Sequence, residues 1–364
     1  MKEVYLGSTE SILFAWNVLG RNGDFTDLFF QGKLSHASTR LQLLPAVNAV
    51  LQLHFQPKMI SLAGSSGFLH HLDDPAVCIF SKLTANNPDD QTTVATNALA
   101  LAARAKARGV RSILLYCDHH APLSSVVGCL YRDLLRLVDI VVCPSSRMAS
   151  LAEECVQKPP VTHVVEDSCV VARQPFPDFH RSKPCRILWF GSTSNLEYLL
   201  RILPDVCSQC SFSSSYELTI LTADHAFNHL KMWCPKLQCK RPWTFRFVGW
   251  ASGEQPEQLN RELGRAHVVL IPSDPADPRK AGVSHNRLVD SIQGGCVAIA
   301  SPMDSYRELS RISLLGHNFP ELLDAALAQY ERLAGKYDQL RDAGLSRFMP
   351  SQVEHRWRDI LSQK

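Results

Sequence analysis

Several absences narrow this chain before any motif is considered. No run of about 18 uncharged apolar residues occurs in its 364 residues, so a membrane-spanning helix is not expected. Charge is nearly balanced, with a formal net charge of +3, so nothing calls for nucleic acid as a partner. There is no short internal repeat and no low-complexity segment. The opening residues carry acids at Glu3 and Glu10 and read as a strand and turn, not as a signal peptide. Without an export signal the expected location is cytoplasmic, with peripheral membrane contact left open.

Cysteine is present in quantity but without a framework. The twelve residues are scattered, and Cys78, Cys117, Cys143, Cys185 and Cys296 lie inside apolar runs. Buried free thiols behave as small hydrophobes, and the pattern fits a reducing compartment better than a set of disulfides. Cys207 and Cys210 form a CxxC, followed by Cys234 and Cys239. The loose second spacing and the lack of a flanking knuckle glycine argue against zinc, so no metal is assigned.

Hydrophobic residues make up 45% of the chain and charged residues 20%, an ordinary globular mix. At ~100–200 residues per domain, two domains are expected. Short uninterrupted apolar runs alternate with amphipathic stretches, the pattern of a parallel sheet covered on both faces. Strands are expected at 3–7, 27–31, 59–63, 77–82, 112–117, 140–143 and 162–165, and helices at 92–108, 124–137 and 145–157. Residues 172–184 hold three prolines and several charges and read as a linker. A second set follows, with strands at 186–190, 217–221, 244–248, 267–271 and 297–300 and helices at 195–203, 256–264, 283–293, 321–334 and 353–361. The expected fold is α/β, two Rossmann-like doubly wound domains facing across a cleft. Residues 1–175 form the first domain, 185–345 the second, and 346–364 a terminal helix packing back toward the first. Ligands in such sheets bind beyond the carboxyl ends of the strands, so the residues after each strand are the candidates.

In the second domain, the strand at 186–190 runs into Gly191, Ser192, Thr193, Ser194 and Asn195. Glycine admits a close ligand approach, and the hydroxyl and amide side chains suit helix capping or phosphate oxygens. The strand at 267–271 leads to Arg279 and Lys280, just before a helix expected to start near Val283 and Ser284. Cations beside a helix start make a diphosphate cradle. Asn286, Asp290 and Gln293 share one helix face by spacing, and Asp290 is placed to accept from vicinal ribose hydroxyls. Lys280, Arg287 and Asp290 read equally well, one by one, as a solvated surface with an ion pair. Gly294 and Gly295 end the helix, a strand follows, and Tyr306 comes shortly after it.

In the first domain, Asp118, His119 and His120 follow a strand, and Lys82 ends another. Asp118 and His119 are the candidates to orient or deprotonate an acceptor hydroxyl, and Lys82 could bind an anionic acceptor or a donor phosphate. A loop-capping aspartate with exposed histidines is the plainer reading. The residues Gly64, Ser65, Ser66 and Gly67 follow a third strand, and His70, His71, Asp73 and Asp74 read as a solvated loop.

The run of Lys280, Asn286, Arg287, Asp290, Gly295, Cys296, Ser301, Pro302, Tyr306, Glu308 and Leu309 resembles the donor-binding element of GT-B glycosyltransferases of the "glycosyl transferases group 1" type. The likeness in architecture extends over nearly the whole chain, including the final helix. It implies transfer of a sugar from a nucleotide-diphosphate sugar, UDP- or GDP-linked, to a hydroxyl acceptor, a glycan or glycolipid. It implies polysaccharide or glycoconjugate synthesis, no cofactor, and no bound metal. In such enzymes the carboxylate at the Asp290 position, usually Glu, binds the donor ribose, and an aspartate-rich turn is common at the Asp118 position. Two departures stand out. A second Glu about eight residues before that carboxylate is usual, and this chain has Gly282 there. The loop after the second domain's first strand often carries Arg and Lys, and this chain has Ser192, Ser194 and Asn195. Those departures keep two alternatives in view: a non-catalytic nucleotide- or sugar-binding protein on the same fold, or a nucleotide-sugar epimerase. A periplasmic two-domain binding protein is opposed by the missing export signal.

Overall fold

The computed structural model describes residues 10–16, 23–24, 26–30, 39–63, 75–85, 87–251 and 255–363. It divides into two compact units. One comprises Met1–Ser168 with Ala281–Ser284 and Pro350–Lys364; the other comprises Cys169–Lys280 with His285–Met349.

In the first unit the strands are β1 (Ser11–Trp16), β2 (Gly23–Asp24), β3 (Gln56–Ser61), β4 (Val77–Ser81), β5 (Arg111–Leu115), β6 (Ile140–Cys143) and β7 (Val161–Val164). They form one sheet in the order β2-β3-β1-β4-β5-β6-β7. Every pairing is parallel except that of the two-residue β2 with β3. β1, β4 and β6 are buried along their whole length, as strands covered on both faces must be. One core cluster joins Leu13, Phe80 and Leu114 to the helices Pro88–Ala107, Val126–Leu137 and Ser146–Glu154. Each of these helices starts on a side-chain cap, from Asn87, Ser125 and Ser145. On the other face, Phe14, Val47 and Ile79 pack with Val353, Trp357 and Ile360 of the last helix, Pro350–Ser362. That helix is tied further through Glu354, which accepts from Asn48 and Gln52.

The second unit contains β8 (Cys185–Phe190), β9 (Tyr216–Thr222), β10 (Trp243–Gly249), β11 (Val268–Ile271), β12 (Val297–Ala300) and β13 (Leu314–Leu315). Their order is β10-β9-β8-β11-β12-β13, all parallel. In chain order within the unit this is 3-2-1-4-5-6, the doubly wound Rossmann arrangement, with its reversal between β8 and β11.

Some local expectations are corrected. Residues 3–7 and the 64–67 and 70–74 loops lie outside the described residues. A helix, Thr26–Phe30, replaces the strand expected at 27–31. The Asp24 carboxylate accepts from the Thr26 amide at 2.8 Å, and Asp27 sits in the first turn, so local capping overrides the apolar DLFF pattern. The helix expected at 321–334 is two, Phe319–Ala328 and Tyr330–Leu345. The helix expected from 283 begins only at Asn286. The residues before it follow another path, because Gly282 is left-handed at φ +70°. Its carbonyl accepts from Ser145 Oγ at 3.1 Å within the first unit. No helix among the described residues is long and apolar enough to cross a membrane.

Candidate functional site

The reversal point of the second sheet brings together two loops. After β8 come Gly191 and the polar turn Thr193–Asn195; after β11 comes a loop ending in the turn Pro278–Lys280. Lys280 Nζ donates to Asn195 Oδ1 at 2.7 Å. Asn195 Nδ2 donates to Ser192 Oγ at 3.2 Å, and the Ser192 and Ser194 hydroxyls lie 2.8 Å apart. The ammonium also lies 5.5 Å from the centre of the Tyr198 ring, whose hydroxyl donates to Asp277 at 2.5 Å. Residues separated by 85 positions thus share one hydrogen-bonded chain at the carboxyl end of β8. A cavity of about 330 Å³ adjoins it, lined by Tyr198, Arg201, Asp274 and His317 among others.

Arg287 stands at the same strand end. A methyl group at Gly191 would lie 3.7 Å from Arg287 Nη1. That nitrogen is buried and makes no hydrogen bond among the described residues. The Tyr306 ring is fully buried in the turn Ser305–Leu309. Burial pushes the phenol's pKa up, and the adjacent Arg287 guanidinium pulls it the other way. Tyr306 is therefore buried next to Arg287. Ser301 ties the ends of β11 and β12: its hydroxyl donates to the Ser273 carbonyl at 2.7 Å and accepts from the Ser273 amide at 2.9 Å.

Asp290 lies one turn into the helix Asn286–Gln293 and is only 5% exposed. Its Oδ1 accepts from the Val170 amide at 3.4 Å and faces the Cys169 thiol at 3.5 Å. The segment after residue 169 runs along this helix, and Arg341, buried, donates to the carbonyls of Gln174, Ile292 and Gln293. Gly295, at φ +76°, has no room for a side chain because the Pro175 carbonyl oxygen occupies the space. Asn286 accepts from the Arg287 amide at 2.7 Å. Ser284 is placed in the first unit, where it hydrogen-bonds Asp167.

In the first unit Lys82 and Asp118 meet at the carboxyl ends of β4 and β5, 2.7 Å apart. Burial disfavours the Lys82 charge; the Asp118 carboxylate, with smaller contributions from Cys117 and Tyr131, outweighs it and keeps the ammonium above its ordinary pKa. Lys82 is left-handed at φ +52°, a strained setting for a residue with a Cβ. His120 Nε2 lies 4.0 Å from Asp118, and its ring packs on Tyr131. His119 Nδ1 is 3.0 Å from the Tyr116 hydroxyl. Burial lowers the pKa of both imidazoles, so both are neutral near pH 7.

Sequence reasoning passed over several neighbours. Asp167, which follows β7, is buried, accepts from Gln42 at 2.9 Å and feels the Lys82 charge. Burial raises its pKa, against the Ser284 and Gln42 hydrogen bonds. Asp224 follows β9 and packs so closely on Gly249 that a Cβ there would meet its carboxylate. Trp250 follows β10, its indole N–H 3.5 Å from the Gly191 carbonyl. All three follow strands, which was the available signal.

Two Rossmann-like units of this composition give the chain a GT-B fold of divergent sequence. No family model and no curated protein matches the sequence. Solved structures do match. HepE of Anabaena, in complex with UDP and glucose, superposes with a TM-score of 0.64 at 13% identity, over 97% of this chain and 99% of that one. The lipopolysaccharide outer core galactosyltransferase WaaB gives 0.60 at 11% identity, over 96% and 98%. MurG of Acinetobacter baumannii gives 0.50 at 11% identity, over 98% and 100%.

Proposed function

We propose that this chain transfers a sugar from a nucleotide-diphosphate sugar to a hydroxyl acceptor. The observation that carries the reading is the anion-ready strand end of the second unit. Lys280 is presented by Asn195, itself bonded to Ser192, and Arg287 keeps a buried N–H beside Gly191 with no acceptor among the described residues. A diphosphate is the ligand such a set suits, since leaving-group charge is what the transition state builds up. The glycines let its oxygens approach the backbone. By the resemblance, Asp290 takes the ribose hydroxyls and Asn286 flanks it. Trp250 offers an aromatic surface on the nucleoside side, and Asp224 a carboxylate. The fold likeness to HepE, bound to UDP-glucose, supports a UDP-linked donor, and that to the galactosyltransferase WaaB supports sugar transfer.

In the first unit, Asp118 and the neutral His119 and His120 would orient the acceptor hydroxyl and receive its proton. Lys82 holds the Asp118 carboxylate at 2.7 Å, which suits it to fix a hydroxyl by hydrogen bonding. Protein cations carry the neutralisation, so no metal is assigned a role in this reading. Glycan or glycolipid acceptors, and a place in polysaccharide assembly, follow from the resemblance alone.

A second reading, a nucleotide-sugar binder without transferase activity, is favoured by Gly282. A Cβ there would lie 3.0 Å from the Met148 Cα, at a φ of +70°. The position at which the resemblance calls for Glu therefore has no room for one. Incubation with UDP-glucose separates the readings. A transferase releases UDP slowly even to water. Lys280→Ala and Asp290→Ala abolish release, and Asp118→Asn keeps UDP binding while lowering transfer. Tight binding of the sugar nucleotide without any UDP release, across a panel of glycan and glycolipid acceptors, would leave the binder.

A further inference from the structure

The CxxC spacing pairs Cys207 with Cys210, but the fold pairs Cys207 with Cys239. Cys210 turns its sulfur 3.7 Å from the Pro320 carbonyl. Cys207, in the last turn of the helix Leu196–Gln209, is buried, and its thiol is within hydrogen-bonding reach of the Cys239 thiol. Cys239 lies in the loop between the turn Cys234–Lys236 and β10, and it is exposed. The amide of the next residue, Lys240, donates to the Cys207 carbonyl at 2.9 Å, so the two backbones are held together independently of the sulfurs. A disulfide needs Cα atoms within ~4.4–6.8 Å, and the backbone hydrogen bond beside the two thiols holds the two segments next to each other. All twelve cysteines are free, and among the described residues no cluster of three or more His, Cys, Asp or Glu is arranged to hold a metal ion.

We propose that Cys207 and Cys239 form an oxidisable dithiol that closes to an intramolecular disulfide on exposure to hydrogen peroxide. The accessible Cys239 is the first nucleophile. Its thiolate sulfur bonds one peroxide oxygen, the O–O bond breaks, and the departing hydroxide takes a proton to become water. The Cys207 sulfur then attacks the Cys239 sulfenic acid, the S–S bond forms and the S–O bond breaks. The second hydroxide leaves with the Cys207 proton as water. Each sulfur gives up one electron, and peroxide is reduced to two waters. Burial raises the Cys207 thiol above its ordinary pKa, so the exposed Cys239 and not Cys207 meets peroxide first. Cys234 is the competing partner: it is buried beside Cys239, with a pKa pushed up to about 11 by burial and by Cys239. Its carbonyl instead accepts from Leu237, turning the loop so that residue 240 meets Cys207. The closed bond would join the end of the helix Leu196–Gln209 to the entry of β10, restricting the unfolded chain between them.

The test is oxidation of the full chain by hydrogen peroxide, alkylation of remaining thiols, and peptide mass spectrometry. The expected product is a Cys207–Cys239 cross-linked peptide, lighter by two hydrogens, opened by dithiothreitol, with the melting temperature raised by several degrees. Cys239→Ser, a surface change, should remove both the cross-link and the shift. Cys234→Ser should leave both. A Cys234–Cys239 cross-link, or Cys239 carried on to sulfinic acid while Cys207 remains alkylatable, would overturn the proposal. So would an unchanged pair under conditions that oxidise the other exposed thiol, Cys129.

Discussion

The two polar clusters differ in what surrounds their buried cationic groups. In the first unit Lys82 and Asp118 neutralise each other at 2.7 Å, with neutral imidazoles around them. In the second, Lys280 donates to the Asn195 side-chain amide, and one buried Arg287 N–H has no acceptor among the described residues. A self-compensated pair is suited to orient a neutral hydroxyl. A buried guanidinium N–H beside a glycine is suited to receive an anion, because an unmet buried donor is costly until something accepts from it. Under the proposed reading, the contrast matches a donor role for the second unit and an acceptor role for the first.

Substitution at Arg287 gives the largest expected effect and the sharpest way to break the comparison. Arg287→Ala should weaken UDP binding by several hundred-fold, about 3–4 kcal/mol, the scale for truncating one partner of a buried charge pair. Lys82→Ala should change UDP affinity less than about twofold, since that charge is already spent on Asp118. Isothermal titration calorimetry on both variants reads the difference. Equal losses would mean that both clusters serve the diphosphate; no loss at Arg287 would remove the anion site from the second unit.

The legible part of the chain was the part whose causes are local. Ile140–Cys143 and Val297–Ala300 coincide with the strands read from their apolar runs, because full burial on both faces writes itself into consecutive residues. The two doubly wound sheets follow from the alternation of such runs with amphipathic stretches, whereas GT-B comes from the resemblance carried by the run from Lys280 to Leu309. What escaped was decided at a distance. The turn before the helix Asn286–Gln293 bends away because Gly282 packs against Met148, far off in sequence. Asp167 finds Gln42 across 125 positions. The Ser11–Trp16 strand was passed over in favour of earlier residues, though its SILFAW run is as apolar as any that was read correctly. Cys239 is the extreme case, since nothing in its flanking residues names Cys207.

Acid should act on the second unit through His267. This ring is almost wholly buried, its Nδ1 accepting from the Arg186 amide at 2.9 Å, and its pKa is lowered from 6.5 to about 4 by burial, with the Arg186 charge adding to it. The unfolded chain binds the proton between pH 6.5 and 4 and the folded chain does not. Stability is therefore complete above about 6.5 and declines as pH falls toward 4. At ~1.4 kcal/mol per pKa unit the loss is on the order of 3 kcal/mol. Urea unfolding across this range should show the slope, and His267→Gln should flatten it. A slope unchanged in the variant would place the acid sensitivity elsewhere, and the contrast between the units would then rest on ligand binding alone.

The smallest effect concerns the backbone under Lys82. At φ +52° any residue with a Cβ is strained by roughly 1 kcal/mol, whereas glycine adopts that conformation freely. Lys82→Ala and Lys82→Gly both delete the ion pair with Asp118, so their difference isolates the backbone term. Lys82→Gly should be the more stable variant by up to about 1 kcal/mol, the gain reduced by the greater freedom of glycine in the unfolded chain. Denaturant midpoints with a common slope would measure it. A more stable Ala variant would mean that the backbone relaxes once the lysine is gone, so that Asp118 was imposing the turn. A more stable Gly variant would mean that the turn exists without the ion pair, and that the strand end holds Lys82 against Asp118 before any acceptor arrives.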